Sequence, residues 1–216
     1  KSSMEFGSVL FCNSNRRDIT QLADLKHKRV AAVEANAFGG WLMVKRLFIE
    51  ADIAIDSLDM SYLGTHDNVV LAVRDGLADA GVVRTDTLER MAKTDQIKLT
   101  DFTLVHRNTE YGNRFPFLLS THLYPEWPFA ATAQTPGELL EKVAITLMSI
   151  PKTDPVAKAG EYEGWTVPLN YQPVHDILKI LQVEPYQDYG KVSLRAEASR
   201  PGQRRRADRV RLSRNL

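Results

Sequence analysis

A chain of 216 residues, 44% hydrophobic and 25% charged, has the composition of a folded globular protein rather than a disordered, collagen-like or coiled-coil one. Its single cysteine, Cys12, excludes an intramolecular disulfide and any multi-cysteine metal site. The formal net charge of +1 hides an asymmetry: from Arg195 onward eight arginines face two acids, so the tail carries +6 and the remainder −5.

No apolar run approaches the roughly 20 residues that span a bilayer, and Lys1-Ser2-Ser3-Met4 lacks the basic start and apolar stretch of a signal peptide. The chain as given is expected to be soluble, with Cys12 in its core.

Residues Phe6 to Phe11 predict a strand, and Asp18-Ile-Thr-Gln21 fits a capping box opening the short helix "TQLADLK". The near-continuous apolar character of "RVAAVE", Arg29 to Glu34, suits a second strand buried on both faces. After Gly39-Gly40, Leu42, Val44, Leu47 and Phe48 recur at helical spacing, and "LDMSYL", ending at Leu63, predicts another strand. Thr65 or Asp67 is placed to cap a helix carrying Val69, Val70 and Val73. A buried strand "ADAGVV" to Val83 follows, and Asp86-Thr-Leu-Glu89 reads as a second capping box before the helix "DTLERMAK". This alternation argues for an α/β lobe with a mainly parallel sheet.

The character changes after "DFTLVHR". "FPFLLST" predicts a strand, and "THLYPEWPFAATAQ" is a proline- and aromatic-rich connector. Thr135-Pro136-Gly137-Glu138 supplies N-cap, N1 proline and N3 glutamate for a helix with Leu139, Val143, Leu147 and Ile150 on one face. Asp154-Pro155 opens a short helix, and "VHDILKILQV" predicts a last amphipathic one. The tail shows neither a wide apolar stripe nor sustained alternation, and a solvated extension outside the domain is expected of it.

In open α/β sheets a ligand sits beyond the carboxyl ends of the strands. Three such junctions occur, after Glu34, Leu63 and Val83. At the first, Gly39 and Gly40 permit close approach of backbone N–H groups at a helix start, the physical recipe for an anion site, although taken alone the pattern reads first as a structural turn. At the second, His66 offers a donor to an oxyanion, while Thr65 and Asp67 serve as caps. At the third, Arg84 is a candidate clamp for a carboxylate or oxyanion, and Asp86 is accounted for by the N-cap. A serine nucleophile elbow, a two-histidine helical metal motif and a phosphate-binding loop are all missing, which disfavours an enzyme.

Together "DLKHKRVAAVEANAFGGWL", "GTHDNVVLAVRDGLADAGVVRTDTLERM" and "GWTVPLNYQPVHDILKILQVEPY" resemble the phosphonate-binding (phosphate/phosphite/phosphonate) branch of the type II periplasmic binding proteins. With "YPEWPFAA", the likeness is greatest to extracytoplasmic sensor domains of bacterial histidine kinases, tetrathionate sensors among them. The resemblance implies a Venus-flytrap α/β fold closing on a small anionic ligand, with no cofactor, metal or nucleic acid, and a periplasmic location. Residues 8–105 would form the second lobe, 106–190 the returning helix-rich part of the first, and 191–216 a basic tail. Its ligand-binding set would be Ala37, Phe38, Gly39, Gly40, Thr65, His66, Asp67, Arg84 and Asp86. Phosphonate binders place serine and threonine hydroxyls where this chain has Ala37-Phe38-Gly39, so the first junction would be retuned. Family members usually begin with a further α/β segment, so the chain is expected to be a fragment that self-associates and whose parent kinase and membrane lie on the C-terminal side.

Overall fold

The first apolar run folds as two strands rather than one, β1 (Glu5–Phe6) and β2 (Ser8–Asn13), divided at Gly7. A Cβ at Gly7 would lie 2.4 Å from Leu119 Cδ1 and 2.9 Å from Thr121 Oγ1, so the chain crosses its neighbour too closely there for a side chain. The computed structural model describes residues 3–160 and 162–191, and the arginine-rich end from Arg195 lies outside the described residues.

Beside β2, the main sheet uses β3 (Arg29–Ala32), β4 (Asp59–Tyr62), β5 (Ala80–Arg84) and β6 (Phe102–Leu104). Their spatial order is β4-β3-β5-β2-β6. The expected parallel pairing holds for β3 with β4 and β5. β2 is the exception, antiparallel to both β5 and β6, and its register sets Ser8 opposite Arg84. The N-terminal end of β2 therefore lies at the same sheet edge as the carboxyl end of β5.

Alternation along β2 divides its side chains between two cores. Leu10 and Cys12 face a cluster with Trp41, Met43, Val44 and Phe48, whereas Val9 and Phe11 face one with Val69, Val73, Leu88 and Met91. The first cluster belongs to α1 (Met43–Glu50) and the second to α2 (His66–Arg74) and α3 (Thr87–Lys93). Helices thus cover both faces, which explains the unbroken apolar runs. Cys12 is fully buried, and burial pushes its thiol pKa up.

The C-terminal half departs more from its sequence pattern. Residues 115–121 form no strand. They run beside β2 through hydroxyls instead: Ser120 Oγ accepts the Leu10 N–H at 3.0 Å, and Thr121 Oγ1 accepts that of Ser8 at 3.0 Å. Part of the connector pairs with β1 as β7 (Tyr124–Pro125), an antiparallel two-stranded ribbon. The helix α4 (Gly137–Met148) has no buried residue, and the short α5 (Pro155–Ala159) follows with its Asp154 cap in place. The final α6 (Gln172–Leu181) sends Ile177 and Leu181 into the cluster of α1, so packing crosses the boundary expected at residue 106.

The first capping box is displaced. The helical turn spans only Leu22–Leu25, and Asp24, not Asp18, accepts from the Thr20 and Gln21 amides at 2.9 and 3.1 Å. Asp18 instead pairs with Arg16 and Lys28.

Asp79, just before β5, ties the far end of the sheet. It accepts the Arg29 backbone N–H at 2.9 Å and pairs with both the Arg29 and Arg16 guanidinium groups. The Arg29 bonds, seconded by Arg16, hold its carboxyl well below the usual carboxylate range. A depressed folded pKa confers stability above the unfolded value near ~4 and loses it as pH falls further. Asp79→Asn should cost about 2 kcal/mol at pH 7. Urea unfolding from pH 7 to 3 should show the wild type converging on the variant in acid.

Candidate functional site

The three predicted junctions meet unequally. Arg84 ends β5, and its backbone N–H donates to His66 Nδ1 at 3.2 Å, linking the second junction to the third. Its guanidinium lies 4.5 Å from the Phe6 ring centroid, a cation–π stack made possible by the β2–β5 register. The same guanidinium pairs with the Glu126 carboxylate, each side chain about 30% exposed.

Glu126 follows β7 and is held by its own backbone: its N–H donates to the Met4 carbonyl at 2.9 Å, and its carbonyl accepts from the Tyr171 hydroxyl. None of Phe6, Glu126 and Tyr171 belongs to the predicted set. Glu126 stands alone between Pro125 and Trp127 without periodicity to mark it, although a lone acid inside "YPEWP" opposite a lone Arg84 is a charge match visible afterwards.

His66 opens α2, capped by Thr65, whose Oγ1 accepts the Asn68 N–H at 3.2 Å. Burial lowers the His66 pKa, and the Arg84 charge lowers it further. The ring is therefore neutral at pH 7, and with Nδ1 accepting, its proton sits on Nε2. Asp67, the alternative cap, pairs instead with Arg90.

Asp86 does not cap α3. It adopts the left-handed conformation at φ 73°, and its side chain makes no capping bond, because an N-cap requires extended backbone to turn its oxygen onto the first-turn amides. Glu89, expected to complete that box, accepts the Leu118 N–H at 2.6 Å, with its other oxygen buried and unpartnered. Burial raises the pKa of both carboxyls.

At the first junction, residues 38–42 form a π turn leading into α1, with Ala37 as its N-cap. The glycines there are explained by packing. A Cβ on Gly39 would lie 2.9 Å from the Phe6 ring, and one on Gly40 2.7 Å from Val33 Cγ2. The Gly39 carbonyl accepts from Ser8 Oγ at 2.7 Å, and Phe38 packs edge-on against Phe6 and Tyr124. Phe6 thus fills the space over the glycine turn, and Arg84 covers Phe6.

Beyond Arg84 opens a cleft of about 1370 Å³. Of the predicted residues, Arg84 and Asp86 line it, while 37–40 and 65–67 lie outside its lining. Its wall carries four carboxylates, of Glu5, Asp86, Glu126 and Glu163, against the one guanidinium. The wall is therefore net acidic, and its one guanidinium is paired with Glu126. Across the cleft, Phe129, Tyr162 and Trp165 stack edge to face, and the Trp165 Nε1–H is buried without an acceptor. Among the described residues, no group of three or more His, Cys, Asp and Glu could hold a metal ion.

A helix-covered α/β lobe with a cleft at its strand ends is an arrangement suited to binding a small ligand. The profile of the phosphonate family, "ABC transporter, phosphonate, periplasmic substrate-binding protein", matches residues 1–172, and the chain belongs to that family. It is 31% identical over 186 residues to the tetrathionate sensor histidine kinase TtrS of Salmonella typhimurium (strain LT2), covering 84% of this chain and 29% of that one. The chain thus spans under a third of the relative's length. In fold it matches PhnD1 from Prochlorococcus marinus (MIT 9301), solved with methylphosphonate, at TM-score 0.61 and 17% identity over 83% of this chain and 68% of that one. A binding protein component of an ABC phosphonate transporter from Pseudomonas aeruginosa matches at TM-score 0.64 and 14% identity, over 91% and 64%. The fold is that of the type II periplasmic binding proteins, with one lobe partial.

Asp86 combines a strained backbone with a half-buried, unbonded charge. Its raised pKa means that ionisation costs the folded state, a cost present above the folded pKa and relieved as pH falls through it. Asp86→Asn, which tolerates the same left-handed conformation, should raise stability at pH 7 by up to ~1 kcal/mol. Thermal unfolding at pH 7 and pH 4 checks this, since the gain should shrink at the lower pH.

Proposed function

We propose that this chain is the extracytoplasmic ligand-binding domain of a sensor histidine kinase, reporting a small oxyanion-bearing ligand by lobe closure. The observation that carries the reading is the joining of Arg84, in the cleft wall, to neutral His66 at the next strand end. A guanidinium whose backbone is anchored by an imidazole is suited to clamp two oxygens of one anion. The 31% identity to a tetrathionate sensor kinase supports a signalling role over a transport one. Closure would follow from tighter binding by the closed form, since only differential affinity shifts such an equilibrium.

In this reading the domain itself is not an enzyme, works in the periplasm, and hands its signal to a membrane-attached kinase on its C-terminal side. Of the wider residue set, Arg84 and Asp86, which line the cleft, would touch ligand, and His66 would hold Arg84 in place. Ala37, Phe38, Gly39, Gly40, Thr65 and Asp67 would shape the wall behind them. The family match favours one alternative, a free solute-binding subunit of a phosphonate-type transporter. Permease genes beside the reading frame would select it, and a kinase domain in the same frame the sensor. The exposed Leu139, Leu140 and Ile145 of α4 support self-association of the isolated chain. Light scattering should then give a mass above the monomer.

The test is thermal-shift screening of the full periplasmic region against phosphate, methylphosphonate, sulfur oxyanions and small carboxylates. At a hundred times Kd a ligand specific for the native state adds about 2.7 kcal/mol. One probe should give a concentration-dependent shift that Arg84→Ala and His66→Ala each reduce at least tenfold in affinity. A flat panel overturns the reading.

A further inference from the structure

The guanidinium proposed to take the ligand is already engaged. Arg84 stands on Phe6 and is paired by Glu126, a carboxylate from the far side of the chain, 42 residues away. A side-chain carboxylate offers the same two-oxygen fork as a free oxyanion. Glu126 is also firmly placed, with its backbone N–H on Met4 and its carbonyl on the Tyr171 hydroxyl.

We infer that Glu126 is an internal competitor for the oxyanion: ligand binds by displacing the Glu126 carboxylate from Arg84. This rests on the proposed binding role of Arg84 and adds the residue that sets its selectivity. Two consequences follow from the geometry.

The first concerns which ligands succeed. A carboxylate tethered beside its partner acts at an effective concentration on the order of millimolar. A simple monoanion such as acetate only replaces like with like and is excluded below that range. The successful ligand must add bonds that Glu126 lacks, and the Trp165 Nε1–H in the same cleft lining is a donor without an acceptor among the described residues. Its class is therefore a multi-oxygen anion, able to engage Arg84 and a second donor of the cleft together.

The second concerns the signal. Glu126 sits between the β1–β7 ribbon and the start of α6, which packs on α1. Releasing its side chain removes an ion pair that joins β5 to that ribbon, so binding and the arrangement of the two sides of the cleft share one bond.

The experiment measures affinity for methylphosphonate and phosphate by titration calorimetry on the full periplasmic region, as wild type, Glu126→Gln and Glu126→Asp. If the pair closes Arg84 about nine-tenths of the time, opening it raises apparent affinity about tenfold. Glu126→Gln keeps the shape and loses the charge, and Glu126→Asp withdraws the charge from reach. Both should bind about tenfold tighter, Glu126→Gln should admit acetate, and adding Arg84→Ala should abolish both gains. Equal affinity in wild type and both variants overturns the competition while leaving the binding role intact. Weaker binding in Glu126→Gln overturns it too, by making Glu126 a partner of the ligand. No binding of either probe to any of the three overturns the competition for these oxyanions. A Glu126→Gln protein that fails to give the wild-type circular dichroism spectrum is replaced in the comparison by Glu126→Asp, read by the same criteria.

Discussion

The antiparallel seam between β2 and β5 is the constraint from which the rest follows. By setting Ser8 opposite Arg84, it brings the start of one strand to the end of another and places Phe6 against the guanidinium. A fully parallel sheet would leave that ring at the opposite edge. Gly7 makes the seam possible, because the chain must pass Leu119 and Thr121 closer than a Cβ allows before it can turn from ribbon to sheet. The hydroxyls of Thr85, Ser120 and Thr121 then bond the backbone around this crossing, with Thr85 Oγ1 accepting the Gly7 N–H at 3.2 Å. Hydroxyls do here what a neighbouring strand does elsewhere, which lets two separated stretches share one crossing point.

The site that results is dominated by side chains stacked in depth. Gly39 underlies Phe6, Phe6 underlies Arg84, and Arg84 faces the cleft. An arginine on an aromatic face is held flat and partly desolvated, which strengthens its charge without burying it. His66 buttresses the same residue from its backbone, so the neutral ring fixes position rather than adding charge. The surrounding carboxylates leave the cleft wall net acidic, with Arg84 its one guanidinium.

Most of the lobe was legible because both of its layers follow simple periods. β3 and β5 show as unbroken apolar runs and α2 as a capped stripe, and the ends of the two strands lie within two residues of those expected. The errors share a cause. Capping boxes at Asp18 and Asp86 were read from spacing, but spacing carries no φ, and a left-handed Asp86 turns the same letters into a different geometry. Likewise Gly39-Gly40 is consistent with an anion cradle or with close packing, and the positions of Phe6, 33 residues before Gly39, and of Val33 against Gly40 separate the two. Glu126 was invisible for a related reason. Its role is a long-range pairing through a segment without periodicity, so no local pattern announces it.

Cys12 has one further use. As the chain's sole thiol, wholly enclosed between the sheet and α1, with its thiol pKa raised by burial, it is chemically silent while the lobe is closed around it. Its reaction with a thiol reagent therefore reports opening around β2 and nothing smaller. A second cysteine introduced on the cleft rim would react alone in the native protein, with no background substitution needed. The fold thus comes with an internal clock for its own unfolding and leaves its surface free for labels that follow the cleft.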